Sequence, residues 1–145
     1  MSKKYFKLIP AVYLILIKDE EILLLRRANT GFEDGNYSLP AGHMDGSESA
    51  TNAMIREAKE ELGIQIAQED LSLIHMLHRD CVTGERVEFF FTADQWSGEI
   101  QNCEPKKCDD LTWYPLDELP DNTIPYIRSV IEHIKNGQVY SEFGW

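Results

Sequence analysis

The stretch from Gly42 to Ile64 dictates a helix and also what must face it. Gly42 is followed by five residues, Glu48, seven residues, and then Arg56-Glu57-Ala58-Lys59-Glu60-Glu61-Leu62-Gly63-Ile64. Ser49 is a good N-cap, and Gly63 stands where a left-handed residue ends a helix, so a helix is expected from about Ser49 to Leu62. At 3.6 residues per turn, Glu57, Glu60 and Glu61 project within roughly 100° of one another. Such like-charge pairs cost an isolated helix about 0.2–0.5 kcal/mol each. Something must neutralise them, and a hard divalent cation would do so. On a helical wheel Ile55, Ala58 and Leu62 cluster on one side. The acids lie on an adjacent arc with Ala50, Ala53 and Met54. They therefore border the core and are expected on the wall of a cleft, with Arg56 pairing to a carboxylate and fixing its orientation.

The remaining sequence bounds the protein that carries this helix. At 145 residues a single domain with a real core is expected over 1–145. With 43% hydrophobic and 27% charged residues the composition is that of a soluble globular protein, and no apolar run reaches the roughly 18 residues of a membrane span. The run at 9–17 lacks the basic start and cleavage site of a signal peptide and reads as a buried strand, so a cytoplasmic location is the default. Cys81, Cys103 and Cys108 are odd in number, without metal-ligand spacing, and read as reduced thiols. A net charge of -11 argues against tracking a nucleic-acid polymer, whose phosphates need a surplus of Lys and Arg. An anionic ligand would need cations to mediate.

Apolar runs at 11–17 and 22–25, separated around Glu20-Glu21, suggest a hairpin. Runs at 71–76 and 87–91, with turn residues at 80–85, suggest a second, and 111–116 is a further strand candidate. A second helix is expected from near Thr123, with Pro125 in its first turn, to about Asn136, where Gly137 stops it. The order strands, helix, strands, helix describes a mixed sheet flanked by helices. A solvated face is the ordinary reading of an isolated Glu-x-x-Glu-Glu. Seven residues at fixed spacing, however, match by chance on the order of once in a billion start positions.

That spacing, G-x5-E-x7-R-E-U-x-E-E-x-G-U with U a bulky apolar residue, resembles the signature of the Nudix hydrolase superfamily, to which MutT-like pyrophosphohydrolases belong. Gly42, Glu48, Arg56, Glu57, Glu60, Glu61, Gly63 and Ile64 match it; Ala58 is smaller than the usual residue. Leu39-Pro40-Ala41-Gly42 looks like the usual lead-in, and Trp113-Tyr114-Pro115-Leu116-Asp117-Glu118-Leu119-Pro120 looks like the segment before the final helix. The resemblance implies an α/β fold, an α/β/α sandwich around a mixed β-sheet. It also implies cleavage by water of a phosphoanhydride in a nucleoside diphosphate linked to another moiety, with Mg2+ or Mn2+. By motif position Glu57 and Glu61 would be principal metal ligands and Glu60 a further or water-mediated one. The backbone carbonyl near Ala41 or Gly42 could complete the set.

The general base stays open among Glu104, Asp109, Asp110 and Glu88, with Glu104 preferred because its loop should return towards the site; an ordinary exposed loop acid is the commoner case. Gly42 and Gly46 suggest a loop that turns tightly or approaches phosphate closely. Arg26 and Arg27 end a strand and could reach phosphates or pair with surface acids. Phe32, Tyr37, Phe89, Phe90 and Trp113 include candidate stacking surfaces, although most such aromatics are core. His43 could touch a phosphate. His75, His78 and Arg79 form a candidate polar cluster, with structural roles favoured.

The expected substrate is a nucleoside triphosphate or deoxynucleoside triphosphate, giving a monophosphate and pyrophosphate. ADP-ribose, a nucleotide sugar, a dinucleoside polyphosphate, or a non-catalytic nucleotide sensor are the alternatives. No membrane and no nucleic-acid polymer is expected as a partner. A homodimer is compatible with the sequence, and the aromatic tail is expected to dock on its own chain.

Overall fold

The computed structural model describes residues 3–145. Among the described residues nine strands and two α-helices follow one another as β1 (Ile9–Ile15), β2 (Ile17–Lys18), β3 (Glu21–Arg27), β4 (Tyr37–Ser38), β5 (Ala41–His43), α1 (Ala50–Leu62), β6 (Leu71–Cys81), β7 (Gly84–Ala93), β8 (Cys108–Pro115), α2 (Pro125–Lys135) and β9 (Tyr140–Phe143), with a 3-10 turn at Gln68–Asp70 before β6. One sheet has the order β5-β1-β7-β6-β9 and is mixed: β1 runs parallel to β7, and β6 parallel to β9. In the second, antiparallel sheet β3 is central, pairing with β2, β4 and β8. The two sheets meet where the Leu14 amide donates to Pro40 O at 2.9 Å.

Strand periodicity builds the layers. Alternate residues of a strand point to opposite faces, and along β1 both faces are buried. Ala11, Tyr13 and Ile15 join Ile22, Leu24, Leu77, Phe90 and the α2 residues Tyr126, Ile127, Val130 and Ile131 in one core. Val12, Leu14 and Leu16 join Leu23, Phe91 and the α1 residues Ala53, Met54, Ala58 and Leu62 in the other. Two apolar layers, each closed by one helix, make the expected α/β/α sandwich. Ala58 is fully buried in the second layer, so its small side chain sits at a packing position.

Both helices begin and end within a residue or so of expectation. Three short pairings, β4, β5 and β9, were not expected, and the expected pairing of 11–17 with 22–25 is corrected: β1 lies in the mixed sheet beside β5 and β7, and only β2 pairs with β3, through a turn at Asp19-Glu20, both with positive φ. The tail docks on its own chain: β9 lies beside β6, and Trp145 Nε1 donates to His78 O at 3.0 Å. No helix among the described residues is long and apolar enough to cross a membrane.

Candidate active site

The acidic stripe is aimed by the two ends of its helix. Ser49 Oγ accepts from the Asn52 amide at 3.1 Å, and Gly63, at φ +71°, donates its amide to Lys59 O at 3.0 Å. These caps fix where α1 starts and stops. Burial of Ala53, Met54, Ala58 and Leu62 then fixes its rotation. Glu57 is turned inward with its side chain 12% exposed, whereas Glu60 stands at the open edge at 54%. Glu61 is part-buried and accepts the Ala41 amide at 3.1 Å through Oε2.

Behind the stripe Arg56 grips the motif. Its Nε and Nη2 donate to the two oxygens of Glu48 at 3.1 and 2.8 Å, and its Nη1 donates to Glu57 Oε1 at 2.8 Å. A further Nη2 contact reaches His43 O at 3.3 Å. Glu48 also accepts the Asp45 amide at 2.9 Å. The Arg56 hydrogen bond, followed by that amide, holds the Glu48 carboxyl below its usual range. Arg56 and Glu48 thus position Glu57 from outside the cavity and do not line it. This is the pairing of Arg56 with a carboxylate expected from the sequence.

Gly42 lines the cavity but does not make the tight turn that was one expectation for it: its φ is not positive, and a Cβ built there would overlap the Glu57 carboxylate. The residue is glycine because the carboxylate occupies the space of its side chain. Gly46, at φ +83° with nothing near its Cβ position, is a plain turn.

The stripe faces a cavity of about 730 Å3 at the seam between the sheets. Glu57, Glu60, Glu61 and Glu104 all line it. Burial, then the neighbouring Glu57 charge, pushes the Glu61 carboxyl well above its usual range, with Glu104 adding to the shift. Burial raises Glu57 as well, against the opposing pull of Arg56. Glu104 thus returns to the site as expected, held by its amide donating to Asn102 Oδ1 at 3.1 Å. The other three base candidates are engaged elsewhere. Asp109 pairs with Arg26 at 2.6 Å, and Asp110 accepts from Thr112, Tyr37 and Tyr114. Glu88 is fully buried under Arg79.

The basic groups divide similarly. Arg26 points away to Asp109, whereas Arg27 lines the cavity, donating through Nε to Phe32 O at 2.7 Å and through Nη2 to Thr30 Oγ1 at 3.0 Å. Phe32 lines the cavity too. Tyr37 and Phe90 are core residues, and Phe89 and Trp113 pack partly buried against the α1-side core. His43 lines the cavity, and its Nε2 lies 2.9 Å from Arg86 Nη1. His75 is structural, between Gln138 O and Ser141 Oγ, and His78 packs against Trp145 with the rings tilted by 53°. Arg79 does reach the cavity, with its guanidinium 3.8 Å from the Tyr126 ring centre. Tyr13, Thr83, Arg86 and Tyr126 also line the cavity and were not singled out from sequence. Nothing local marks them, because strand pairing of β1, β6 and β7 brings Tyr13, Thr83 and Arg86 to the cavity and the packing of α2 brings Tyr126.

Among the described residues no three acids, thiols or imidazoles already converge as a ready-made cage. Mg2+ does not require one, since it commonly takes one or two carboxylates, keeps several waters and completes its shell with substrate phosphates. Oxygen donors repelling one another on the wall of an open cavity fit such an ion. The groups available to it are the Glu57 and Glu61 carboxylates, Glu60 at the edge, and the main chain at 41–42.

The sequence profile of the NUDIX domain matches residues 7–134. The chain is 30% identical over 131 residues to the NAD-capped RNA hydrolase NudC of Pseudomonas aeruginosa (strain LESB58), covering 90% of this chain and 44% of that protein. It therefore spans less than half the length of this relative. It is 29% identical over 140 residues to the ADP-ribose pyrophosphatase of Methanocaldococcus jannaschii, covering 93% of this chain and 81% of that one. The crystal structure of a MutT NUDIX hydrolase from Burkholderia pseudomallei superposes with a TM-score of 0.79 at 28% identity, over 88% of this chain and 98% of that chain. Motif, fold and profile agree: the chain belongs to the NUDIX domain family.

Proposed function

We propose that this chain is a Mg2+- or Mn2+-dependent pyrophosphohydrolase that opens a phosphoanhydride of a nucleoside triphosphate or deoxynucleoside triphosphate, giving a monophosphate and pyrophosphate. The observation that carries the reading is the shared cavity, in which Glu57, Glu60, Glu61 and Glu104 face the same space as Arg27 and Arg86. Carboxylates alone would repel a polyphosphate. Glu57 and Glu61, with Glu60 and the carbonyl near Ala41 or Gly42, would hold the divalent cation, whose chemistry is to polarise a phosphoryl oxygen and lower the pKa of an attacking water. Arg56 keeps Glu57 in position through the bond from its Nη1. Glu104 takes the proton as the water oxygen bonds to phosphorus and the bond from phosphorus to the leaving phosphate oxygen breaks. Arg27 holds a phosphate oxygen from the β3 side.

A second reading is hydrolysis of ADP-ribose, favoured by the likeness to the Methanocaldococcus jannaschii pyrophosphatase. Nucleotide sugars and dinucleoside polyphosphates share the same bond. A screen of purified protein against these classes with Mg2+ and Mn2+ separates them. Hydrolysis is expected, with a fall of at least about 100-fold in Glu57→Gln and Glu61→Gln and unchanged circular dichroism. Wild-type turnover in either variant would remove the site assignment, and binding without cleavage of any class would favour a nucleotide sensor. A Glu104→Gln variant that keeps the full rate at saturating metal across the pH profile would place the base elsewhere.

A further inference from the structure

Arg86 is the feature of the cavity that the reaction as described does not use. It directly faces Arg79 across the antiparallel β6–β7 pair, and like charges directly opposite on a sheet are destabilising. Arg79 has its counter-charge, because Nε donates to Glu88 Oε1 at 2.6 Å and Nη2 to Glu88 Oε2 at 3.1 Å. Arg86 has none: it takes part in none of the ion pairs among the described residues.

The guanidinium is nevertheless held in place without a carboxylate. Nη1 donates to His43 Nε2 at 2.9 Å, Nη2 to Thr83 Oγ1 at 2.9 Å, and Nε approaches Cys81 Sγ at 3.5 Å. Arginine has only donors, so His43 Nε2 must be the acceptor in this contact. His43 in turn adjoins Gly42, against which Glu57 packs. A side chain fixed in this way, with no carboxylate partner and facing a cavity, is preorganised for an anion.

Its position relative to the acids identifies which anion. Arg27 enters the cavity from the second sheet and is likewise held by neutral oxygens, on Phe32 and Thr30. Arg86 enters from β7 of the first sheet, and the α1 acids face the same cavity at the seam between the two sheets. A ligand meeting both arginines carries negative oxygens towards both sheets. In a diphosphate diester such as ADP-ribose, what extends past the two phosphates at either end is a neutral ribose. A chain of three or more phosphates keeps charge out to the wall.

Resting on the pyrophosphohydrolase reading, we propose that Arg86, positioned by His43 and Thr83, binds a phosphate flanking the cleaved anhydride and makes the site select triphosphates over diphosphate diesters. Calorimetric binding in Mg2+ tests this with a methylene-bridged, non-cleavable analogue of ATP and with ADP-ribose, which share the same nucleoside. Arg86→Gln is expected to weaken the triphosphate analogue about tenfold more than ADP-ribose, while Arg86→Lys, keeping the charge, recovers most of the loss. Thermal unfolding of Arg86→Gln should stay close to wild type, since one of two facing cations has been removed; a purely structural arginine would lower it. Equal weakening of both ligands, no weakening, or a wild type that does not bind the analogue overturns the proposal. Binding requires no bond cleavage, so the two readings fail separately. A wild type that binds the analogue through Arg86 but never cleaves ATP removes the hydrolase and keeps this subsite. One that cleaves nucleotides while Arg86→Gln keeps its triphosphate preference does the reverse.

Discussion

At the scale of single residues the site depends on a space left empty. The position of Gly42 lets the Glu57 carboxylate lie against the β5 backbone, where Arg56 can reach it. The helix cannot retreat from an added methyl, because Ala53, Met54, Ala58 and Leu62 are buried behind it. Gly42→Ala should therefore turn Glu57 off its bond to Arg56, at a cost of about 1–3 kcal/mol from overpacking. Hydrolysis should fall about as far as in Glu57→Gln, an outcome that urea unfolding and a rate assay check together. A Gly42→Ala enzyme with the wild-type rate would show that the Glu57 geometry does not matter. The grouping of Glu57, Glu60 and Glu61 on one face was legible because they repeat at the helical period. Arg86 was not, since its meaning comes from lying opposite Arg79 and beside His43, 43 residues away in sequence.

At the scale of elements the readable parts were those whose signals are local. The first helix is bounded by Ser49 and Gly63, and the second starts at Pro125 and stops at Asn136, each as expected from caps and breakers. Strands β4, β5 and β9 are two to four residues long and exist through their partners, β3, β1 and β6, so no period of their own announces them. The β6–β7 pair shows the same limit at a buried position. Glu88 read as an acid that might serve catalysis, whereas it is fully enclosed and accepts from Arg79 and Tyr13. Here the pair joins β6 to β7 and, through Tyr13 and Tyr126, to β1 and α2. Removing one partner strands the other in a poor medium for charge. Glu88→Gln should cost about 3–5 kcal/mol in chemical unfolding, and Arg79→Met added to it should recover a substantial part of that loss. A nearly neutral Glu88→Gln would mean that the pair is far better hydrated than its burial implies.

At the scale of the whole molecule two sheets, each too small to close a core alone, share both helices and leave a cleft where they meet. Strand alternation along β1 explains the sharing, and it also places the acids of α1 at that seam. The cost of the arrangement is electrostatic: part-buried carboxylates facing one another in a chain of net charge -11 oppose folding until a cation arrives. A ligand that binds only the folded state stabilises it by RT ln(1 + [L]/Kd), about 2.7 kcal/mol at one hundred times Kd. For a chain of this length that raises the melting temperature by about 5–10 °C. Mg2+ and Mn2+ should therefore each raise it in the absence of any nucleotide. KCl at matched ionic strength should raise it much less, because screening acts mainly on exposed charges. In the double variant Glu57→Gln, Glu61→Gln the cation effect should vanish, and its metal-free melting temperature should equal or exceed that of wild type, since the burial of two mutually repelling carboxylates is relieved. If the double variant kept the full Mg2+ shift, the ion would be binding elsewhere on the acidic surface, and the seam between the sheets would lose its claim to be the metal centre.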